Sequence, residues 1–180
     1  MDVLDVCTSK QGEDSLDTLL LADYERKAIT KNFKAREFIL AVEAKMAQMP
    51  GTLYGRVAAP LKHTFFDGGY VREIFMQKGM TCTSKIHKYS HPYFILKGDV
   101  SILTEQGEIR YKAPFSGITL AGTKRVLYMH EDTTWITVHV TKGRDIQEIE
   151  DEIIAENFEA FDRFQIESGL EEVKLIEEET

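Results

Sequence analysis

The sequence has no apolar run long enough to cross a membrane as a helix, which excludes a helical membrane span. Bases are also in deficit, 22 Lys and Arg against 30 Asp and Glu for a net charge of −8, which argues against nucleic acid held by bulk electrostatics. The first residues, MDVLDVCTSKQGED, lack the basic start and apolar stretch of a secretory signal. The expected location is therefore a reducing cytoplasm, where the two cysteines, Cys7 and Cys82, are expected as thiols. There is neither an internal repeat nor a low-complexity linker. What is present, 43% hydrophobic and 29% charged residues in a chain of 180, suits one globular domain of ordinary size with an appended helical segment.

The acidity is local. Residues 144–180 hold 14 acids and 3 bases, so the rest of the chain is slightly basic.

Three stretches differ in pattern, dividing the chain into an N-terminal helical arm over 1–50, a β-barrel over 51–143 and an acidic helical segment over 144–180. In the first, Phe38, Val42, Met46 and Met49 recur at three- and four-residue spacing and Ile29 and Phe33 extend the stripe, which predicts a helix from about 14 to 49. Asp14 or Ser15 would cap its start, and Pro50-Gly51 would end it. An interruption near Asp23 or Asn32 is compatible with the pattern. The stripe is wide enough to bury against a second subunit.

From His63 to Val140 the helical period gives way to short β-rich runs: HTFF, YVREIFM, TCTSKIH, PYFILK, VSILTE, EIRYKA, GITL, KRVLYM and TTWITVHV. Glycine turns punctuate them, as at Asp67-Gly68-Gly69 and Lys97-Gly98-Asp99. So many short strands, with no crossover helices between them, predict an antiparallel sandwich or barrel and exclude a parallel α/β sheet. In the final segment Ile146, Ile149, Ile153, Phe158 and Phe161 fall at helical intervals among acids, predicting a helix with a frayed end.

Within the β region, Gly79 is followed after five residues by Lys85, then by His87, by His91 and, after six more residues, by Gly98. This frame resembles the first motif of the cupin superfamily, in which two histidines and a glutamate sit between two such glycines. The second cupin motif is matched at Gly122 alone. The resemblance implies a mainly β fold, the cupin-type double-stranded β-helix or jelly roll barrel, over about eighty residues. The stretch KAPFSGITLAGTKRVLYMHEDTTWITVH is also similar to single-domain cupins encoded by bacteriophages, which would place the protein in host cytoplasm or virion.

Metal cupins hold a divalent ion on four side chains. Carried over position by position, the resemblance puts Lys85 at the first histidine, keeps His87, puts His91 at the glutamate and Arg125 at the last histidine. Period-two alternation would point Lys85 and His87 into the barrel together, facing His91 and Arg125. Lys and Arg repel a cation, so this set reads first as a ligand-binding site for a small anion: phosphate, carboxylate or nucleotide. The second reading keeps a metal (zinc, nickel, iron or manganese) on His87 and His91, with Glu73 or Glu108 completing the set if either turns inward. His130 and His139 are expected at the surface or in a subunit contact, His63 opens the first strand near a candidate entrance, and Trp135 is expected in packing or an interface.

Two functions follow. The first is a non-enzymatic or degenerate cupin that binds a small anion or serves as a phage structural or accessory protein, with its helical ends docking an assembly partner. The alternative is a metal-dependent enzyme, an isomerase, epimerase or oxygenase, acting through His87 and His91. A homo-oligomer, dimer or higher, is expected in either case.

Overall fold

The structure, a computed structural model, describes residues 4–9 and 35–169. All nine β-rich runs form strands: β2 (Leu61–Phe66), β3 (Gly69–Met76), β4 (Met80–Ser84) with β5 (Ile86–His87), β6 (His91–Lys97), β7 (Asp99–Thr104), β8 (Gly107–Lys112), β9 (Phe115–Thr119), β10 (Val126–Met129) and β11 (Thr133–Val140). An additional strand, β1 (Leu4–Ser9), precedes them. They pair antiparallel into two five-stranded sheets, ordered β1-β4-β10-β7-β8 and β2-β3-β11-β6-β9. Without the flanking β1 and β2, one sheet reads β3-β11-β6-β9 and the other β4-β10-β7-β8. Strands adjacent in sequence thus alternate between sheets, apart from the β7-β8 hairpin, and the last strands insert between the first ones. That order is the double-stranded β-helix.

The inward faces of the strands grade from apolar to polar along the barrel. On β3 the series is Met76, Ile74, Arg72, Tyr70; on β6 it is Ile95, Tyr93, His91; on β11 it is Trp135, Thr137, His139. Register aligns these gradients, with Trp135 opposite both Ile74 and Ile95, Thr137 opposite Arg72, and His139 opposite Tyr70. One half of the interior is a packed core in which Val100, Met129 and Ile95 are wholly buried. The other half carries the buried polar groups.

Gly98, which closes the frame read from the sequence, has φ +110°, and a Cβ there would press within 2.8 Å of the Thr133 backbone. Gly122, at φ +78°, lies under the Phe161 ring. Both positions need glycine on two counts, left-handed backbone and close approach.

Some expectations fall outside the described residues and others are corrected. Residues 10–34, including the proposed caps Asp14 and Ser15 and the stripe positions Ile29 and Phe33, lie outside the described residues, as does the acidic end from 170. The described helix, α1 (Ala35–Ala47), stops before Pro50 because the Thr52 hydroxyl donates to the carbonyls of Met46 and Met49, at 2.6 and 2.8 Å. Its stripe of Ile39, Val42 and Met46 packs on Val126 of the chain's own barrel, so this part of the stripe is already covered. Each such buried aliphatic side chain contributes about 1.5–3 kcal/mol.

The N-terminal region is not helical throughout, since β1 pairs with β4. That pairing sets Cys7 opposite Cys82, with Cα atoms 4.1 Å apart, and the two form a disulfide rather than the expected thiols. Cys7 turns its backbone hydrogen bonds to Leu53, leaving the narrow type of cross-strand pair toward Cys82. The C-terminal helix is two helices, α2 (Ile146–Ile153) and α3 (Phe158–Ser168), capped by Asp145 and Asn157. Between them β12 (Ile154–Ala155) pairs with β5, which pulls the backbone out of the helix.

Candidate functional site

The strand carrying the first site residues breaks at Lys85, and the break resets its alternation. Cys82 and Ser84 face the interior; Ile86 packs outside against Phe158 and Phe161; His87 faces in again. Lys85 is half-buried and is not among the residues lining the interior cavity. The uninterrupted alternation that would have put Lys85 beside His87 is therefore corrected. His87 and His91, separated by a short bend, meet inside the barrel with ring centroids 4.4 Å apart.

The third partner is His139. Its ring lies 4.4 Å from His91 and stacks on His87 at 5.3 Å, and one ligand nitrogen from each of the three lies within 4.8 Å of the others. All three are 3–4% exposed. The expectation of a surface His139 had the alternation of β11 right and its facing wrong. Aliphatic Ile136 and Val138 point outward, with Val140 89% exposed, while Trp135, Thr137 and His139 point in. The phase of Trp135 was the available signal. Glu73 is on the outward face of β3 and Glu108 is exposed on β8, so neither supplies a ligand.

Burial makes the imidazoles neutral. Desolvation, with the His91 and His139 rings next in weight, holds His87 well below its ordinary value of 6.5. His91 is lowered to about 4 and His139 to about 2, in both cases by desolvation first. His91 Nδ1 lies 3.2 Å from the Tyr89 carbonyl, which only accepts, so Nδ1 carries the proton and Nε2 keeps its lone pair. His139 Nε2 lies 3.1 Å from the Thr137 hydroxyl. His87 Nε2 is buried and has no hydrogen-bond partner among the described residues.

Two buried arginines flank the triad. Arg72, fully buried, donates from Nε to the Tyr70 hydroxyl at 3.1 Å and faces Glu150 of α2 at 3.7 Å, which balances its charge. The Tyr70 hydroxyl also meets Nδ1 of His63, which is half-buried on β2. Arg125, 8% exposed, donates from Nη2 to the Thr119 hydroxyl and lies over the rings of Tyr93 and Trp135 at 5.1 and 5.5 Å. No carboxylate among the described residues pairs with it, and desolvation lowers it to about 10. His87, His91 and Arg125 are thus brought together around a cavity of about 30 Å³, also lined by Trp135 and Thr137. Such a space holds an ion or a water and not an organic molecule. His130 stands apart, with Nε2 3.0 Å from the Ser101 hydroxyl.

No family model and no curated protein matches the chain. Among solved structures it is similar to an RmlC-like cupin family protein with a double-stranded β-helix fold from Methanocaldococcus jannaschii, at 11% identity over 46% of this chain and 79% of that one, with a TM-score of 0.40. A cupin-2 domain protein from Shewanella frigidimarina is 7% identical over 45% of this chain and 79% of that one, TM-score 0.39. Ectoine synthase from P. lautus is 11% identical over 51% of this chain and 70% of that one, TM-score 0.43. The fold assignment rests on the strand order of the two sheets: this is a mainly β chain with the cupin-type double-stranded β-helix fold.

Proposed function

We propose that the protein holds one divalent metal ion on His87, His91 and His139 and takes a small anionic ligand at Arg125 beside it. The observation that carries this reading is the convergence of three buried, neutral imidazoles whose ligand nitrogens lie within 4.8 Å of one another. The donor set fits zinc, iron or nickel, which imidazole suits, better than manganese, which favours oxygen donors. The orphaned Nε2 of His87 supports the fit, since a buried polar atom without a partner is costly unless something binds it.

Charge supplies the anion. The triad is neutral, Arg72 is offset by Glu150, and Arg125 has no carboxylate among the described residues, so a dication here leaves the site strongly positive. An anionic ligand restores balance. When bound, such a metal polarises a ligand oxygen as a Lewis acid, which serves an isomerase, epimerase or oxygenase as well as a binding protein. Arg125, fixed by Thr119, orients the anionic group.

The test is elemental analysis after incubation with zinc, nickel or ferrous iron and exhaustive dialysis. About one ion per chain is expected, lost in the His87→Ala, His91→Ala double variant. A wild-type protein that retains no more metal than the variant overturns the reading.

A further inference from the structure

A second cavity of about 200 Å³ lies on the other side of Arg125, where the edge strands β8 and β9 part. Arg125 lines both this cleft and the small cavity beside His87 and His91. Among the described residues it is the one charged side chain lining the cleft. The walls are apolar, with Ile102, Ile109, Ile118 and Leu120, and the half-buried ring of Tyr111 stacks on Phe115 with centroids 3.7 Å apart. The Thr119 hydroxyl meets the guanidinium, and Thr123 also lines the cleft.

We propose that this cleft binds a small organic carboxylate with an apolar or aromatic body, its carboxylate on Arg125 and its body between Ile109 and Ile118. This deepens the anion half of the function proposed above and does not depend on the metal half. Three features carry it. Among the described residues Arg125 is a buried cation without a carboxylate partner, and its guanidinium hydrogen bond there, to Thr119, is to a neutral group. Such a charge is costly to bury and favours any anion that can reach it. The cleft is open, so one can.

Size and lining choose among anions. A dry cavity of about 150 Å³ accepts benzene, so roughly 200 Å³ accepts a body of that size with a carboxylate attached. Inorganic phosphate would leave the isoleucine walls unfilled and would find one cation where a dianion is better served by several. Planar guanidinium pairs bidentately with carboxylate, and Tyr93 and Trp135 behind it hold its plane.

The test uses the full-length protein, chelated and metal-loaded in parallel, titrated calorimetrically with benzoate, with benzamide as the neutral isostere and with inorganic phosphate. Saturable one-to-one benzoate binding to the chelated protein is expected, at least tenfold tighter than benzamide or phosphate. Ile109→Trp, which fills the cleft from its exposed rim, should weaken benzoate at least tenfold and leave metal content unchanged. Arg125→Met, if circular dichroism shows it folded, should bind benzoate no better than benzamide. Equal binding of benzoate and benzamide overturns the proposal, as does absence of saturable binding. Benzoate that binds only the metal-loaded protein and is indifferent to Ile109→Trp does not occupy this cleft; that result overturns the cleft assignment and leaves the metal reading standing.

Discussion

His139→Leu separates a metal ligand from a packing residue. At neutral pH the His139 ring is uncharged and buried, so leucine, of comparable bulk, removes no charge from the barrel. The structural loss is the hydrogen bond at 3.1 Å to the Thr137 hydroxyl, worth about 1 kcal/mol. Urea denaturation of the chelated variant should therefore stay within about 1–2 kcal/mol of wild type. Metal binding should suffer far more. Four-ligand structural zinc sites bind with roughly 10–16 kcal/mol, or about 3 kcal/mol per ligand, so removing one of three imidazoles should weaken affinity about a hundredfold. Competition against a chromogenic zinc chelator reads that difference directly, with His130→Ala as the histidine control outside the site. If His139→Leu competes for zinc as well as wild type does, the triad is a packing cluster and the reasoning from its geometry fails.

Three further outcomes are expected. The chelated protein should lose stability as pH falls below 6.5, because the unfolded chain takes up protons there that folded His91 refuses until about pH 4; for His91 alone this is about 1–2 kcal/mol between pH 6.5 and 5, readable from urea melts at the two pH values. His87 and His139, lowered by the same burial, act in the same direction. Reducing the Cys7–Cys82 disulfide, which closes a loop over a separation of 75 residues, should cost about 4 kcal/mol by loop entropy, and the Cys7→Ser, Cys82→Ser double variant should show the same loss while becoming insensitive to reductant. Ile149→Ala, at a fully buried position on α2 packed on Tyr70 and Ile153, should destabilise by about 2–5 kcal/mol in thermal or chemical melts; no change would mean that α2 is not part of the cooperative unit.

Every expected β-run became a strand, because alternation and glycine turns are local signals read within a few residues. His87 and His91 were legible through the resemblance of the Gly79–Gly98 frame to the first cupin motif, a frame whose Gly98 the chain geometry itself requires. His139 was not, although its alternation on β11 was evident. Facing is decided by which side of the sheet the other sheet covers, and on β11 the inner side is the one bearing Thr137 and His139. Lys85 was misplaced because a one-residue break in a strand leaves no mark in the pattern yet inverts every side chain after it.

Local chain chemistry thus determined the β-rich composition of the barrel and its turns, and the resemblance to the cupin motif added two of the three histidines of the candidate site. Tertiary structure alone decided the rest. The Cys7–Cys82 pairing, the Arg72–Glu150 ion pair and the meeting of His139 with His87 and His91 join residues dozens of positions apart, and no spacing rule reaches across such separations. They exist because two sheets close on one another, bury whatever faces inward and leave the buried polar groups to find partners among themselves or in a ligand.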